Sequence, residues 1–339
     1  MMQTHSGGAL PRRRLGRTGY ELSIVSAGGF LGMVYDPSQS RGGEWGTAAA
    51  DPAVREAAAI AGLRRGIELG INYFDTAPMY GHGEAERQLG IALRALTPAE
   101  RAGLFVSTKV GVNPKREHAY DAESVRRSLE RSLGLLGRDG VSIAFIHDPL
   151  TDADMDQMLA PGGAVEALEQ LKAQGVVGAI GLGVRIHRFL RRAIESGRFD
   201  AILPSYDYTP IRSTAGPVFE LAARHDVGVV SASAYMAGLL AGIDPDLAAA
   251  KRAVVERADL ARAKALWGWA QARGVDLGAV AMQYQLRNPN IATALVGPRD
   301  VGEIEANVRH ATTALPAGIW EDLEAFMGTL EPAGPGGEA

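Results

Sequence analysis

Three consecutive apolar runs of the sequence each carry an ionisable side chain near the carboxyl end. Asp75 lies at the end of one run, Lys109 near the end of the next, and His147 near the end of the third. Tyr80 follows Asp75 after a short turn and stands before a glycine. A free tyrosine titrates at about 10 and is a poor acid–base group at neutral pH, but a neighbouring ammonium group favours the phenolate.

These residue types predict acid–base chemistry at an oxygen atom. We expect Asp75 to hold Lys109 charged and oriented, and the ammonium group to lower the pKa of Tyr80. Tyr80 would then give a proton to a carbonyl oxygen or take one from an alcohol, which is worth roughly 10²–10⁴-fold in rate. His147 would hydrogen-bond the same oxygen and position it. The set includes no nucleophile and no metal cluster, so we expect the attached carbon to gain or lose a hydride.

A second chemistry would use the same lysine. Lys109 could attack a carbonyl carbon and form a Schiff base, as in aldolases, but this requires a lowered pKa and no carboxylate partner. The presence of Asp75 argues against that reaction. Taken singly, an Asp at a strand end is more often a helix cap or turn former than a catalytic group. The placement of all four residues on consecutive strands favours the catalytic interpretation.

The elements that must position these residues are short apolar runs separated by segments of helical periodicity. Runs that are apolar on both faces are typical of parallel strands covered on both sides. Eight of them, nearly all followed by a helix, predict an α/β fold: a single (β/α)₈ TIM barrel with the active site at the C-terminal ends of the strands. The runs are 22–28, 71–76, 104–110, 142–148, 177–184, 201–206, 228–234 and 291–297.

No linker divides the chain, so the barrel is expected to span residues 1–330, with residues 331–339 forming a disordered tail. The alternative fold is an open doubly wound sheet, which needs a glycine fingerprint between the first strand and the first helix. The glycines of residues 27–32 do not fit that requirement. The segment after them is predicted to be a loop, and the first helix is predicted to begin near Asp51 and Pro52.

Composition and charge limit the class of protein. With 46% hydrophobic and 22% charged residues, the chain has the balance of a globular domain. The net charge of −4 and the lack of a basic stripe indicate no nucleic-acid partner, and Arg12–Arg14 is interpreted as a solvated turn. The absence of cysteine excludes disulfides and thiolate chemistry.

No apolar segment is long enough to cross a membrane and no signal peptide is recognisable, so we expect a soluble, cytoplasmic protein. The sequence indicates no oligomeric state.

The same residues stand in segments that resemble the aldo-keto reductases, which are nicotinamide-dependent oxidoreductases on a (β/α)₈ barrel. The matching segments run in order from residue 15 to about residue 310. The motif FDTAPMYG, combined with the Lys and His at the strand ends, is highly specific for this family. The segments are LGRTGYELSIVSAGGFLG, GINYFDTAPMYGHGEAERQLGIAL, LFVSTKVG, SLERSLGLLGRDGVSIAFIHDP, LKAQGVVGAIGLGV, VSASAYMAGLLAG and ALVGPRDVGEIEANV. The resemblance implies that the family's catalytic tetrad is Asp75, Tyr80, Lys109 and His147.

The resemblance also implies a nicotinamide cofactor, with NADP(H) slightly favoured over NAD(H). The segment GPRDVGEIEAN looks like the family's adenosine-phosphate site. Gly297 and the helix start near Asp300 would meet phosphate, and Arg299 would meet a ribose 2′-phosphate. Glu303 and Asn307 would lie toward the adenine. Arg299 is equally compatible with a solvent-exposed loop cation.

The resemblance assigns the remaining cofactor contacts to residues of this chain less clearly. Tyr206 stands where the family stacks an aromatic ring on the nicotinamide, although Tyr208 is an alternative. The residues implied to cover the pyrophosphate are Ser233, Gly238 and Leu239, the last two in the loop 237–242. Where many members hold the carboxamide with Ser-Asn and Gln, this chain has Gly183-Val184 and Leu203, so those contacts must come from elsewhere.

The motifs FIHDP and IGLGV are similar to the D-threo-aldose 1-dehydrogenases and pyridoxal 4-dehydrogenases of this family. That similarity implies a sugar-like or small polar substrate, oxidised at a hemiacetal or aldehyde-type carbon. The alternatives are a reductase of non-sugar aldehydes or ketones, and a non-catalytic cofactor-binding subunit, as some relatives of this fold serve ion channels. Candidate substrate contacts lie in the long loops. They are Tyr35 and Trp45 in residues 33–51, and His118, with Tyr120, in residues 113–120.

Overall fold

The chain forms a closed barrel of parallel strands. The structure, a computed structural model, describes residues 10–29, 51–250, 255–333 and 336–338. After an antiparallel hairpin, eight strands pair in chain order, and the last pairs with the first of the eight. The strands are β1 (Arg12–Arg14), β2 (Glu21–Ser23), β3 (Val25–Gly28), β4 (Tyr73–Asp75), β5 (Phe105–Val110), β6 (Val141–His147), β7 (Val177–Gly183), β8 (Ala201–Leu203), β9 (Gly228–Ala232) and β10 (Thr293–Val296).

Helices lie between the barrel strands. They are α1 (Pro52–Glu68), α2 (Glu84–Arg94), α3 (Pro98–Ala102), α4 (Ala122–Leu136), α5 (Asp152–Leu159), α6 (Ala164–Ala173), α7 (His187–Glu195), α8 (Gly216–Arg224), α9 (Pro245–Ala249), α10 (Arg257–Arg273), α11 (Leu277–Leu286), α12 (Val301–Thr312) and α13 (Ile319–Met327). No described helix combines the length and the apolar character needed to cross a membrane.

The predicted (β/α)₈ barrel is confirmed. Each of the eight predicted apolar runs overlaps one of the strands β3 to β10, and only β6 extends beyond its run, by one residue at Val141. The first run, 22–28, contains β3 and the end of β2, because the chain leaves the hairpin at Ile24 before entering the barrel. The first described helix also starts where predicted, since the side chain of Asp51 accepts a hydrogen bond from the amide of Ala53 and Pro52 occupies the first turn.

The interpretation of Arg12–Arg14 as a solvated turn was wrong. These residues form β1, which pairs antiparallel with β2. The guanidinium group of Arg13 is partly buried and donates to the backbone oxygens of Leu286 and Ile291 at 2.6 and 2.8 Å. The partners lie more than 270 residues away in the sequence, so the local pattern of three arginines gave no indication of them.

The barrel interior is filled by side chains that alternate along the strands. Tyr73, Ile143, Phe145 and Leu295 belong to this inner cluster. Gly181 leaves room for one of them, because a Cβ atom at this position would lie 2.2 Å from the ring of Phe145. The neighbouring positions on each strand point outward and pack under the helices. The interior is therefore a packed core, and in a barrel of this kind a ligand is expected at the mouth formed by the carboxyl ends of the strands.

Part of the C-terminal tail has a defined position in the structure. Residues 336–338 form a 3₁₀ turn, and the amide of Gly337 donates to Asp207 Oδ2 at 2.8 Å. The domain limit at residue 330 and the disorder of the tail stay predictions.

Candidate active site

The four predicted catalytic residues reach one end of the barrel. Asp75 is the last residue of β4, Lys109 is the last but one of β5, and His147 is the last of β6. The three strands are adjacent and parallel, so their carboxyl ends share one face. Tyr80 begins the 3₁₀ segment Tyr80–Gly83 that follows β4. The sequence spacing therefore brings an acid, a phenol, an ammonium group and an imidazole to the same mouth.

A buried ion pair forms the base of this group. Lys109 Nζ contacts Asp75 Oδ2 and donates to the backbone oxygen of Thr76 at 3.0 Å. The two charged side chains are 1% and 2% exposed. Burial by itself lowers the pKa of Lys109, but the charges of Asp75 and Tyr80 outweigh it and raise that pKa above its ordinary value. Lys109 is therefore a permanent cation at neutral pH, which disfavours the Schiff-base chemistry.

Two further residues orient Asp75. Ser107 Oγ donates to Asp75 Oδ1 at 2.6 Å, and Tyr73 Oη shares a 2.8 Å hydrogen bond with Ser107 Oγ. Ser107 stands two residues before Lys109 on β5, and Tyr73 stands two residues before Asp75 on β4. Sequence reasoning missed both residues. The two-residue period of a strand was the available signal, because it places each of them on the inward face beside a predicted catalytic residue.

Tyr80 lies directly beside the ion pair. Lys109 Nζ is 4.8 Å from the centre of the Tyr80 ring. The expected lowering of the Tyr80 pKa was wrong for this structure: burial raises the pKa of Tyr80, and the charge of Lys109 offsets only part of that rise. Tyr80 is therefore a protonated phenol at neutral pH and is ready to donate.

His147 faces Tyr80 across the mouth. The two rings meet edge to face with their centres 5.9 Å apart. Burial, together with the charge of Lys109, holds the pKa of His147 well below its ordinary 6.5, so the ring is neutral. Nδ1 is buried with no hydrogen-bond partner among the described residues. Because burying an unpaired N–H is costly, we assign the single ring proton to Nε2, the atom on the Asp148 side.

Two loop residues complete the surroundings of His147. Tyr120 Oη donates to the backbone oxygen of His147 at 2.8 Å, and His118 Nδ1 is 2.9 Å from Tyr120 Oη. His118, predicted as a substrate contact, is thus linked through Tyr120 to the end of β6. The other two predicted substrate contacts, Tyr35 and Trp45, lie outside the described residues.

The structure distinguishes the two tyrosines proposed for nicotinamide stacking. Tyr208 lies in an aromatic cluster away from the mouth, with ring centres 4.9 Å from Phe219 and 5.5 Å from Tyr284. Tyr206 is partly buried after β8 and has a left-handed backbone with φ of 67°. The guanidinium carbon of Arg185, which follows β7, lies 5.8 Å from the centre of the Tyr206 ring. Since Tyr208 is engaged with other aromatic rings, Tyr206 stays the predicted residue for stacking on the nicotinamide.

The segment after β9 carries an unusual backbone. Ser233, Met236 and Ala237 all have positive φ values, between 47° and 68°, and Gly238 follows with φ of 98°. Such conformations cost about 1–3 kcal/mol each in residues other than glycine, and they cluster at ligand-binding sites. Leu239 is 2% exposed and anchors this segment in the second apolar cluster. The residues predicted to cover the pyrophosphate thus form one strained loop at the mouth.

The segment after β10 is held by acidic side chains. Glu303 contacts the guanidinium group of Arg299, with Nε to Oε1 at 2.8 Å, and accepts from the amide of Arg299 at 2.7 Å. Asp300 caps α12 by accepting from the amide of Glu303 at 2.9 Å. Gly297 is exposed before this helix, and Asn307 is buried one turn further along it. A phosphate at this helix start would therefore meet two carboxylates as well as Arg299.

Metal binding finds no support among the described residues. They contain no group of three or more His, Asp or Glu side chains with the geometry to hold a metal ion. The charged groups at the mouth are arranged instead around one ammonium group and one phenol.

Comparison with known proteins agrees with this geometry. Residues 42–327 match the Aldo/keto reductase family. L-galactose dehydrogenase from Arabidopsis thaliana is 32% identical over 333 residues, covering 94% of this chain and 94% of that protein. D-threo-aldose 1-dehydrogenase from a Pseudomonas species is 30% identical, covering 76% of this chain and 84% of that protein. Pyridoxal 4-dehydrogenase from Microbacterium luteolum is 29% identical, covering 94% and 97%.

A solved structure shows the same fold. An aldo-keto reductase from Bacillus halodurans, in its holo form, superposes with a TM-score of 0.71 at 21% identity. The match covers 96% of this chain and 97% of that chain.

Proposed function

The chain belongs to the aldo/keto reductase family, and on that premise we propose that it oxidises the hemiacetal or aldehyde-type carbon of a sugar-like substrate. As a member of that family it is an oxidoreductase that uses a nicotinamide cofactor. The bound nicotinamide supplies or accepts the hydride. The chain's own residues bind the substrate oxygen, orient it and move its proton.

The observation that carries the proposal is the placement of Lys109 between Asp75 and Tyr80. Asp75 keeps the ammonium group charged in a buried site, and the ammonium group lies 4.8 Å from the centre of the phenol ring. The fixed cation stabilises negative charge on the phenol oxygen when the proton leaves. In oxidation, Tyr80 first loses its own proton to solvent, and the resulting phenolate takes the hydroxyl proton of the substrate as the carbon loses its hydride. In reduction, the same oxygen returns the proton to the carbonyl.

His147 has a different part in this reaction. A neutral ring with its proton on Nε2 can donate a hydrogen bond to the substrate oxygen but cannot compete with Tyr80 as a proton donor. The hydrogen bond fixes the oxygen between Nε2 and the phenol. The geometry therefore supports Tyr80 as the acid–base group and His147 as the orienting donor.

The substrate class is supported by the relatives. The names of three of them refer to oxidation of L-galactose, of D-threo-aldoses and of pyridoxal, at 32%, 30% and 29% identity. A small polar substrate with a ring suits all three. The alternative, reduction of a non-sugar aldehyde or ketone, uses the same four residues in the opposite direction.

The cofactor fits the residues at the mouth. Tyr206 offers an aromatic face, and the strained loop through Ser233 and Gly238 offers main-chain groups to a pyrophosphate. The slight preference predicted for NADP(H) rests on Arg299, whose guanidinium group is already neutralised by Glu303. A 2′-phosphate must compete with that carboxylate, so we propose that Glu303 limits the use of NADP(H).

The test is absorbance at 340 nm with purified protein and each of NAD⁺, NADP⁺, NADH and NADPH. The panel contains L-fucose, D-arabinose, L-galactose, pyridoxal, and simple aldehydes and ketones. Reduction of NAD⁺ or NADP⁺ by an aldose supports the proposal. Turnover only of NADPH or NADH with a simple carbonyl favours the reductase alternative. Binding of a cofactor without turnover of any substrate supports the non-catalytic subunit.

A further inference from the structure

Asp148 is a second carboxylate at the mouth, directly after β6. Its amide donates to the backbone oxygen of Gly183 at 2.8 Å, which extends the pairing of β6 with β7 by one residue. Its φ is 44°, in the left-handed region that few residues other than glycine adopt. Asp and Asn tolerate this region better than other side chains. The backbone of Asp148 is thus fixed by the sheet, in a conformation that turns the chain sharply at the mouth.

Within the part of the chain that the structure describes, the cap and turn after β6 are formed without this carboxylate. The helix that follows, α5, is capped by Thr151, whose side chain accepts from the amide of Asp154 at 3.1 Å. Asp154 in turn accepts from the amides of Leu150 and Thr151, both at 2.9 Å. Helix capping and turn formation are therefore satisfied by other residues. The ordinary structural explanation for an Asp after a strand does not apply here.

The contacts of the carboxylate point to the substrate. Among the described residues, the carboxylate contacts His147, with Oδ2 3.5 Å from Nε2. The side chain is 45% exposed, so the carboxylate is open to the mouth. Burial raises the pKa of Asp148, and the charges of Lys109 and His118 offset part of that rise. The group thus shares the electrostatic environment of the reacting centre and remains accessible.

The position relative to Nε2 defines what the carboxylate can reach. A substrate oxygen that accepts from His147 Nε2 lies about 2.9 Å from that nitrogen. Asp148 Oδ2 lies 3.5 Å from the same nitrogen, so the carboxylate and the reacting oxygen would both lie around Nε2. A carboxylate cannot donate to a carbonyl oxygen, but it accepts strongly from a hydroxyl group. In an α-hydroxylated aldehyde or its hemiacetal, the hydroxyl on the carbon next to the reacting carbon is the neighbouring hydroxyl donor closest to the reacting oxygen, and it is therefore the candidate donor to this carboxylate.

We propose that Asp148 is a specificity-determining residue that accepts a hydrogen bond from the substrate hydroxyl next to the reacting carbon. This inference rests on the proposed function and narrows its substrate class to α-hydroxylated aldehydes and their cyclic hemiacetals. A site built to hydrogen-bond a substrate hydroxyl discriminates against the analogue that lacks it, because the polar group of the protein is left unpaired. Asp148 therefore distinguishes an aldose from its 2-deoxy analogue.

The test compares kcat/KM for the aldose that the enzyme oxidises best with kcat/KM for its 2-deoxy analogue. The wild-type enzyme is expected to prefer the aldose by about 100-fold or more. In Asp148→Asn this preference is expected to fall to within about tenfold, mainly through loss of activity on the aldose. Asp148→Gly is the second variant, because glycine suits the positive φ and removes the carboxylate without backbone strain.

The matched control is Asp139→Asn, the same change at an exposed position near the N-terminal end of β6. It is expected to leave the preference unchanged. If the Asp148 variants lose activity equally on both sugars, the carboxylate acts through His147, and this inference is overturned while the proposed function stands. If the wild-type enzyme turns over neither sugar, nor any other aldose, both the proposed function and this inference are overturned.

Discussion

Lys109 Nζ lies 4.8 Å from the centre of the Tyr80 ring while it is also paired with Asp75. A buried cation this close to a phenol stabilises the phenolate without giving up its own proton, because Asp75 and Tyr80 raise the pKa of Lys109 against the effect of burial. The relationship between these two side chains therefore supports the proposal that Tyr80 exchanges a proton with the substrate.

Replacement of Tyr80 by Phe tests that assignment. Tyr80→Phe is expected to lower kcat by roughly 10²–10⁴-fold, because the proton donor is lost while the ring stays. Cofactor affinity, measured by quenching of protein fluorescence, is expected to stay within about threefold. Tyr208→Phe is the control, since Tyr208 packs in an aromatic cluster away from the mouth. Equal loss of turnover and cofactor binding in Tyr80→Phe would remove Tyr80 from the acid–base role.

Replacement of Asp75 by Asn should be costly for stability. The change leaves Lys109 buried with no carboxylate partner, and breaking such a pair costs about 3–5 kcal/mol in the free energy of unfolding. Urea denaturation of both proteins measures the difference. The double variant Asp75→Asn/Lys109→Met has no unpaired buried charge, so it is expected to recover part of the free energy of unfolding that the single variant loses. A single variant as stable as the wild type would contradict the assigned ion pair.

The pH dependence of the reaction rate follows from the directions in which the pKa values of Tyr80 and His147 are shifted. The raised pKa of Tyr80 keeps the phenol protonated above its ordinary 10.0, so reduction is expected to be flat from neutral pH and to fall only in strong alkali. Oxidation needs the phenolate, so its kcat/KM is expected to rise through the alkaline range. The lowered pKa of His147 means that its protonation affects the rate only well below pH 6.5. Initial rates at constant ionic strength check both directions. An oxidation rate that is already constant at pH 8 would show that the phenol titrates far lower.

Cofactor preference is expected to change when Glu303 is replaced. Glu303→Gln removes the carboxylate that neutralises Arg299, which leaves the guanidinium group more available to a 2′-phosphate. Because exposed ion pairs are worth about 0.2–1 kcal/mol, the NADP(H) to NAD(H) ratio of kcat/KM should rise by roughly 1.4- to fivefold. Glu305→Gln is the matched control on the same helix, where Glu305 pairs with Arg65. An unchanged ratio in Glu303→Gln would place the 2′-position away from Arg299.

Two glycine substitutions test the packing of the barrel. Gly181→Ala would place a Cβ atom 2.2 Å from the ring of Phe145 and is expected to destabilise the fold by about 1–3 kcal/mol. Gly134→Ala, in the last turn of α4, meets no atom within 4 Å and is expected to stabilise by about 0.5–1 kcal/mol. Thermal unfolding measures both variants, and the midpoint temperature is expected to fall for Gly181→Ala and to rise for Gly134→Ala. A neutral Gly181→Ala would mean that the interior holds more free space than the structure shows.

The fold and the four central residues were readable from sequence because both depend on local patterns. Apolar runs of strand length, separated by helical periodicity, predict parallel pairing, and parallel pairing alone brings Asp75, Lys109 and His147 to one face. The start of α1 at Pro52 followed from the capping Asp51 in the same way.

What could not be predicted depends on contacts distant in sequence or on backbone conformation. The partners of Arg13 lie on and after α11, so nothing near Arg13 indicated a strand. The burial that raises the pKa of Tyr80 exists only once the loops have folded around it. The direction of Asp148 follows from a φ of 44°, which no sequence pattern specifies. By contrast, the pairing of Arg299 with Glu303 could have been predicted from the sequence, because the two residues are only four positions apart.

The most direct measurement is transfer of deuterium from an aldose labelled at C1. Purified enzyme is incubated with the labelled sugar and NAD⁺ or NADP⁺. The reduced cofactor is then isolated, and its mass is measured by mass spectrometry. Hydride transfer from the hemiacetal carbon predicts a reduced cofactor that carries the deuterium, and a Tyr80→Phe enzyme that forms little of it. Reduced cofactor without deuterium, or no reduced cofactor with any aldose, would contradict the proposed oxidation.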